Sequence, residues 1–459
     1  MNNQLFSKSD LRKLIIPLII EQTLALTVGM FDAIMVASAG ESVMSGVSLV
    51  DTIAVLIINL FAALATGGAI AAGQYIGAKD KENVNRAAKQ LVNITFLISI
   101  VITVLCLLLN RQMLSLFFGK IEADVMSSAR AYFYITTLSF PFIALFNAAA
   151  ALFRGMGNSK IPMINALIMN IINLIGNAIF IYGAGWGAFG AGLSTTISRV
   201  IAAIVMMVML RRPALDISVR SYRFWDFNPK IIKRILGIGI PNGFENCTFQ
   251  IGRIILTGLV ATLGTTSIAA NGVANSLTGI EVIPGIAIGL ALTTVAAQCV
   301  GANEYEQAKR YIKQMLKLAY ACLIGFNIFM LVILRPLLGI YSLSPETFEL
   351  AFKIMLIHGF GAMLVWPVSF VLPNAFRAAS DVKYPMFISI FSMIVFRIGF
   401  SYLFAYAANL GVLSVWFAMT IDWTFRSICF VWRYFSGKWE KTNIIQTPFD
   451  LELTPSDII

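Results

Sequence analysis

Apolar stretches of about 20 residues, separated by short polar segments, recur along the whole chain. Each stretch is long enough to cross a lipid bilayer as one helix. The pattern predicts twelve transmembrane spans, at roughly 12–36, 44–75, 91–110, 131–153, 161–183, 188–210, 235–262, 268–299, 315–334, 350–375, 384–406 and 412–434. The predicted fold class is therefore all-α and polytopic.

Composition supports a membrane protein rather than a soluble one. Of the 459 residues, 58% are hydrophobic and only 12% are charged, and the mean hydropathy is +0.81. A soluble domain carries about a quarter charged residues. The N-terminal segment is polar, and the apolar stretch after it is too long for a signal peptide. We therefore expect that stretch to be the first span.

Basic residues are distributed unevenly between alternate loops. The N-terminus, the 77–90 loop and the 211–234 segment are rich in lysine and arginine. The opposite side carries few basic residues: Arg111, Lys120, Arg130, Arg335 and Lys353. The positive-inside rule then predicts that both termini are cytoplasmic. The net charge of +11 follows from this topology, so we expect no nucleic-acid partner.

The two halves of the chain repeat each other. Residues 71–90 align with 295–314, and residues 153–163 align with 376–386. The two spacings are 224 and 223 residues, and at a spacing of 224 Pro17 matches Pro241 and Glu21 matches Glu245. Two six-span halves in one orientation are typical of secondary transporters, with the substrate site between them. We therefore predict an N-lobe (1–210), a cytoplasmic linker (211–234), a C-lobe (235–436) and a cytoplasmic tail (437–459).

Residues for common enzyme chemistry are isolated. The five cysteines contain no CxxC pair, His358 is the single histidine, and no GxxxxGK[ST] phosphate-binding motif occurs. We therefore expect neither an enzyme nor a resident cofactor.

Asp32 lies in the apolar stretch MFDAIMVASAG (30–40). A carboxylate inside a membrane is costly, and such residues mark ion pathways by default. Burial disfavours the charged form, so Asp32 is a candidate proton carrier or ligand of a hard cation. The alternative is a structural polar residue bonded to neighbouring helices. The repeat places Leu256 opposite Asp32, which predicts ion coupling in the first lobe alone.

Glu21 and its repeat counterpart Glu245 are predicted to lie at the lobe interface, where they would bind a cationic substrate or a second coupling ion. The alternative is that each lies near a cytoplasmic helix end and pairs with a basic residue there. The candidates for that pairing are Arg12, Lys13 and Arg234.

Other polar residues within spans have weaker signals. Glu281, close to Pro284, predicts a bent helix and a role in a substrate cavity. Asp422 is predicted to form a structural ion pair with Arg426, Arg253 or Arg397. His358 is predicted to be an interior histidine with no partner visible in the sequence, and Asp51 a cap or gate residue.

Several blocks resemble one known family. MFDAIMVASAG, GQYIGAKDKENVNRA, FRGMGNSKIPM and NLIGNAIFIYGAGWGAFGAGLSTTISR resemble, in order and spacing, blocks of the multidrug and toxic compound extrusion (MATE) family. The resemblance implies a V-shaped antiporter of twelve helices in two lobes. It implies export of amphipathic, often cationic, compounds from a prokaryotic cell across its inner membrane, in exchange for sodium ions or protons. A twelve-span unit of this kind can work as a monomer embedded in lipid, so we expect a monomer.

The resemblance further implies that Asp32 lies in a polar cavity of the N-lobe with Asn173, position 177 and Thr195. Many members of the family have aspartate at position 177, where this chain has Asn177. A sodium site built on two carboxylates would lose one of them here. We therefore favour protons over sodium as the coupling ion.

Two alternatives to an exporter of cations were considered. A flippase for a lipid-linked saccharide, from the same superfamily, would favour arginines in the cavity. The sequence instead suggests more interior acids than bases, with Glu21, Asp32, Glu245, Glu281 and Asp422 against Arg199, Arg253 and Arg397. A membrane-embedded enzyme would need a cluster of ligating residues on facing helices, for which the sequence gives no signal.

Overall fold

The computed structural model describes residues 4–119, 121–219 and 227–441, and these parts of the chain are helical, without β-strands. The first half contains α1 (Lys8–Ala37), α2 (Glu41–Gly77), α3 (Lys81–Leu108), α4 (Asn110–Phe118), α5 (Ala123–Leu138), α6 (Phe140–Gly155), α7 (Lys160–Asn177) and α8 (Gly187–Met209). A π-helix, Ala178–Gly183, continues α7.

The second half repeats this order. It contains α9 (Pro229–Ala261), α10 (Thr265–Glu281), α11 (Ile283–Gly301), α12 (Tyr305–Val332), α13 (Leu334–Gly339), α14 (Pro345–Leu364), α15 (Leu372–Ala378), α16 (Lys383–Ser392), α17 (Phe400–Tyr406) and α18 (Leu413–Phe435). π-Helices join α14 to α15 (Pro367–Val371) and α16 to α17 (Met393–Gly399), and a 3-10 helix, Lys438–Lys441, follows α18.

Local sequence explains where the principal helices begin. Ser7 and Asp10 form a reciprocal capping box at the start of α1. Asn228 accepts hydrogen bonds from the backbone at the start of α9, where Pro229 occupies the first helical position. Both helices begin at corresponding points of the two repeats, so the duplicated halves start with independently capped helices.

The helices account for the twelve predicted spans. Within the described residues, nine helices are long and apolar enough to cross a membrane, and the pair α5–α6, bent by 48°, makes a tenth. The other two predicted spans are α9 and α18, which carry buried charged side chains such as Glu245 and Asp422. The breaks within predicted spans, at Ser139 and Val282, precede Pro141 and Pro284.

Each lobe has its own hydrophobic core, and the first helix of each repeat contributes to both. Leu11, Leu14 and Leu18 at the start of α1 pack in the core of the second lobe. Reciprocally, Ile231 and Ile235 at the start of α9 pack in the core of the first. The two lobes are therefore joined by an exchange of helix ends at the face where α1 begins and α18 ends, called the terminal face below.

The lobes also meet where α2 and α11 end at the terminal face. A Cβ on Gly77 would overlap the carbonyl oxygen of Gln298, and one on Gly301 would overlap that of Gln74. Gln74 Nε2 donates to the carbonyl oxygen of Ala378 at 2.6 Å. Gln298 Nε2 donates to that of Gly155 at 2.7 Å. This glycine crossing closes the terminal face.

Candidate functional site

The four residues predicted for ion coupling lie together on α1, α7 and α8 in the first lobe. Asp32 Oδ1 accepts a hydrogen bond from Asn177 Nδ2, with Asn177 completely buried. One helical turn away, Asn173 Nδ2 donates to Ser194 Oγ and Thr195 Oγ1, each at 3.3 Å. The structure thus brings all four side chains into one polar cluster, called the Asp32 cluster below.

A glycine makes this close approach of helices possible. A Cβ on Gly176 would lie 2.5 Å from Ser194 Oγ, so a side chain there would force α7 and α8 apart. Ser194 Oγ also donates to the backbone oxygen of Asn173 at 2.6 Å. Directly after Asn177 the helix widens into the π-helix, a local change that is frequent at functional sites.

Three neighbours extend the cluster beyond the sequence prediction. Tyr132 Oη donates to Asp51 Oδ1 at 3.0 Å, so Asp51 is bonded to α5 rather than capping α2. Arg199 Nη1 donates to Ser139 Oγ at 2.8 Å and interacts electrostatically with both Asp32 and Asp51. The sequence could have indicated Arg199, because an arginine inside a membrane span is costly and therefore marks a functional candidate. Tyr132 gave no such signal.

The cluster offers oxygen atoms to a small cation or a proton. Asp32 supplies a carboxylate, and Asn177 Oδ1 is buried without a hydrogen-bond partner in the described parts of the chain. Carboxylate, amide and hydroxyl oxygens are suitable ligands for hard cations. Residues 4–119, 121–219 and 227–441 contain no group of three or more His, Cys, Asp or Glu side chains that could hold a metal ion.

Glu21 and Glu245 are each paired with an arginine of their own lobe. Arg154 Nη1 lies 3.0 Å from Glu21 Oε1, and Arg377 Nη2 lies 2.7 Å from both carboxylate oxygens of Glu245. Since Arg154 and Arg377 are themselves repeat counterparts, the two ion pairs are equivalent. Neither glutamate pairs with the basic residues considered from the sequence. Both arginines are partly buried.

Glu281 is completely buried in the second lobe. His358 Nδ1 lies 2.7 Å from Glu281 Oε2, and the His358 ring packs edge-on against Trp416 and Trp423. His358 therefore has a partner, which the sequence did not reveal. Asp422 accepts a hydrogen bond from Ser392 and lies 3.5 Å from Arg397 Nη1, as an ion pair with one of its predicted candidates.

These pairings change the charge balance inferred from the sequence. Arg154, Arg377 and Arg426 also lie inside the lobes, so the interior is not richer in acids than in bases. Among the acidic side chains inside the described spans, Asp32 and Asp51 are the two without an arginine or histidine within ion-pair distance. A cation site is therefore indicated by these two residues and not by overall charge.

The polar cluster on the first, fifth and sixth spans and the duplicated six-span lobes can be compared with known proteins. A family model described as MatE matches the chain twice, at residues 17–179 and 241–403. The chain belongs to the MATE family. The two matches begin 224 residues apart, at the spacing of the internal repeat. This MATE chain is therefore a multi-pass membrane protein from a family of efflux transporters.

Relatives and solved structures match the MATE chain along nearly its whole length. It is 26% identical over 415 residues to the probable multidrug resistance protein YoeA of Bacillus subtilis, covering 88% of each chain. It is 25% identical over 451 residues to the probable multidrug resistance protein NorM of Thermotoga maritima, covering 95% of this chain and 94% of that one. A structure titled as an outward-facing multidrug resistance MATE transporter superposes with a TM-score of 0.87 and 22% identity, over 95% and 96% of the two chains.

Proposed function

We propose that this protein is a secondary active antiporter that exports amphipathic, cationic compounds by alternating access, in exchange for protons or sodium ions. The observation that carries the proposal is Asp32, an intramembrane carboxylate held by a neutral amide and not by an ion pair. A carboxylate neutralised by an arginine has little reason to bind an ion. Asp32 has no arginine within ion-pair distance, although Arg199 acts on it electrostatically, so it retains that capacity.

Protons are the favoured coupling ion. Position 177 is asparagine, and Asp51 is engaged by Tyr132, so Asp32 provides the single carboxylate directly bonded to the cluster of α7 and α8. Protonation of Asp32 would let it donate a hydrogen bond to the free oxygen of Asn177. Sodium would have to be held by one carboxylate and neutral oxygens.

The glycine crossing supports alternating access. Because the lobes touch at the terminal face, the Asp32 cluster faces the opposite side in this conformation. An ion shifts such an equilibrium only by its differential affinity for the two states. Binding at Asp32 would therefore have to differ between the conformation closed at the terminal face and the one open there.

The names of YoeA and NorM, both probable multidrug resistance proteins, support drug-like compounds as substrates. We further propose a monomer in the inner membrane of a prokaryotic cell, with both termini in the cytoplasm. The flippase alternative has no support from these relatives.

The test is ethidium efflux in everted membrane vesicles under a proton gradient alone or a sodium gradient alone. Asp32→Asn removes the charge without changing the size of the side chain, and Glu82→Gln makes the same change on an exposed helix end. We expect proton-driven transport that is lost in Asp32→Asn and kept in Glu82→Gln. Transport by Asp32→Asn at the native rate would refute the role of Asp32, and transport driven by sodium alone would refute the preference for protons.

A further inference from the structure

The second lobe contains a cavity between α9, α10, α18 and the π-helix that follows α16. It is a half-open cleft, and its unfilled space of about 450 Å³ includes solvent at its mouth. Its polar lining residues are Arg253, Thr257, Asn271, Asn275, Arg397 and Trp416. The cavity lies in the half of the lobe away from the terminal face, because α10 and α18 begin at that side.

This cavity occupies the position in the second lobe that the Asp32 cluster occupies in the first. Leu256, which lines the cavity, lies 224 residues after Asp32. By the same spacing Asn275 replaces Asp51, and Arg253 replaces Gly29. The carboxylates of Asp32 and Asp51 therefore have no counterpart in the second lobe, and a guanidinium group is gained there.

The two arginines carry positive charge that is incompletely neutralised. The Arg253 side chain is exposed and has neither a hydrogen bond nor an ion pair within residues 4–119, 121–219 and 227–441. Arg397 lies 3.5 Å from Asp422, a loose contact, and its Nε has no partner in the same part of the chain. Asp422 also accepts a hydrogen bond from Ser392, so its charge is shared. The cavity lining is thus net positive.

The other residues that line the cavity are neutral. Together with the arginines they suit a molecule that has an anionic group and an apolar part. Trp416 Nε1 donates to Asn271 Oδ1 at 3.2 Å, which leaves the amide nitrogen of Asn271 available as a donor. Asn275 Nδ2 donates to the backbone oxygen of Asn271 at 2.9 Å. Leu256, Val260, Val415 and Met419 supply the apolar wall.

We propose that this cavity binds an oxyanion, a carboxylate or a phosphate, carried by an amphipathic molecule. Guanidinium groups match the planar, two-oxygen geometry of these anions, and a site partly screened from water strengthens the contact. The interpretation of this cavity as part of a substrate site rests on the proposed export function. A zwitterionic substrate would place its anionic end in the second lobe and its cationic end toward Asp32 in the first.

The experiment measures binding of two rhodamine dyes to the purified full-length protein in phosphatidylcholine nanodiscs. One dye carries a free benzoate, and the other is its methyl ester, so they differ only in the anionic group. We expect Arg253→Gln to weaken binding of the free acid by about tenfold, without weakening binding of the ester. Arg253→Lys should retain most of the affinity, since it keeps the charge.

Arg111→Gln is the matched control, because it removes one exposed arginine outside the cavity. It should leave both affinities unchanged. Equal changes for acid and ester in Arg253→Gln, or a loss for the acid in Arg111→Gln as large as in Arg253→Gln, would overturn the proposal. Arg253 is exposed, so its replacement should not disturb folding; circular dichroism of the variants checks this.

A second arm identifies the source of the oxyanion. If nanodiscs containing phosphatidylglycerol weaken binding of the acid to the native protein but not to Arg253→Gln, a lipid phosphate occupies the cavity. If the lipid has no effect, the cavity serves the carboxylate of the substrate. Efflux of the ester under an ion gradient is measured in parallel. Absence of that efflux would contradict the proposed export function. The binding comparison would still test the oxyanion site independently.

Discussion

The two equivalent ion pairs allow a comparison of one substitution in two environments. Glu245→Gln and Glu21→Gln remove a carboxylate of the same type at corresponding points of the repeat. Glu245 is 4% exposed at the side chain and contacts Arg377 with both oxygens, while Arg426 lies 3.9 Å from Glu245 Oε1. Glu21 is 11% exposed and contacts one atom of Arg154.

The expected losses in the free energy of unfolding differ accordingly. Glu245→Gln leaves Arg377 without its counter-charge and Arg426 with Asp422 as its nearby acid, and breaking a buried pair in this way costs about 3–5 kcal/mol. Glu21→Gln leaves Arg154 without its partner, but Arg154 is 19% exposed and can reach water. The loss in the free energy of unfolding should therefore be about 1–3 kcal/mol. Arg377→Gln should cost less than Glu245→Gln, because Arg426 stays near the glutamate.

The assay is reversible unfolding in mixed micelles by titration with sodium dodecyl sulfate, on the three single variants and on one double variant. The double variant Glu245→Gln with Arg377→Gln should lose less free energy of unfolding than the sum of its single changes. Both members of the ion pair are removed together, so neither is left as an unpaired charge. The reasoning is refuted if Glu21→Gln costs as much as Glu245→Gln, or if the single losses in the second lobe simply add.

Two further predictions concern other contacts. His358→Ala should lower the free energy of unfolding by about 1–3 kcal/mol, because it leaves Glu281 buried without its hydrogen-bond partner, and His358→Gln should recover part of the loss in the same titration. Gly301→Ala should disfavour the conformation closed at the terminal face, since the new Cβ would overlap the backbone of Gln74. Spin labels at positions 79 and 303 should then move apart in pulsed electron resonance, while Gly258→Ala, where a Cβ meets no atom, should leave their distance unchanged.

The spans and the duplication could be predicted because they depend on local properties. An apolar stretch of sufficient length specifies a membrane helix with little help from the rest of the chain, and a repeat is visible by alignment. Even the bend beside Glu281 was indicated by Pro284. The composition of the Asp32 cluster came from the resemblance to a family, which supplied Asn173, Asn177 and Thr195; the apolar pattern alone indicated Asp32.

The pairings could not be predicted because they join distant helices. Arg154 follows Glu21 by 133 residues, and His358 follows Glu281 by 77. Arg154 also lies at the end of a span, where position in the sequence does not distinguish a solvated loop residue from a buried partner. The inference of an acidic interior failed for this reason, since it did not count Arg154, Arg377 and Arg426 among the interior bases.

The glycine crossing at the terminal face has the form of an isologous interface. Gly77 contacts Gln298 and Gly301 contacts Gln74, and each residue of one lobe has its repeat counterpart in the other. A self-complementary contact of this kind is what a twofold homodimer uses. A six-helix ancestor could therefore have paired with a second copy of itself through this surface before the gene was duplicated. Fusion of the two copies then freed each lobe to change separately, with Asp32 in one lobe and Leu256 at the corresponding position of the other.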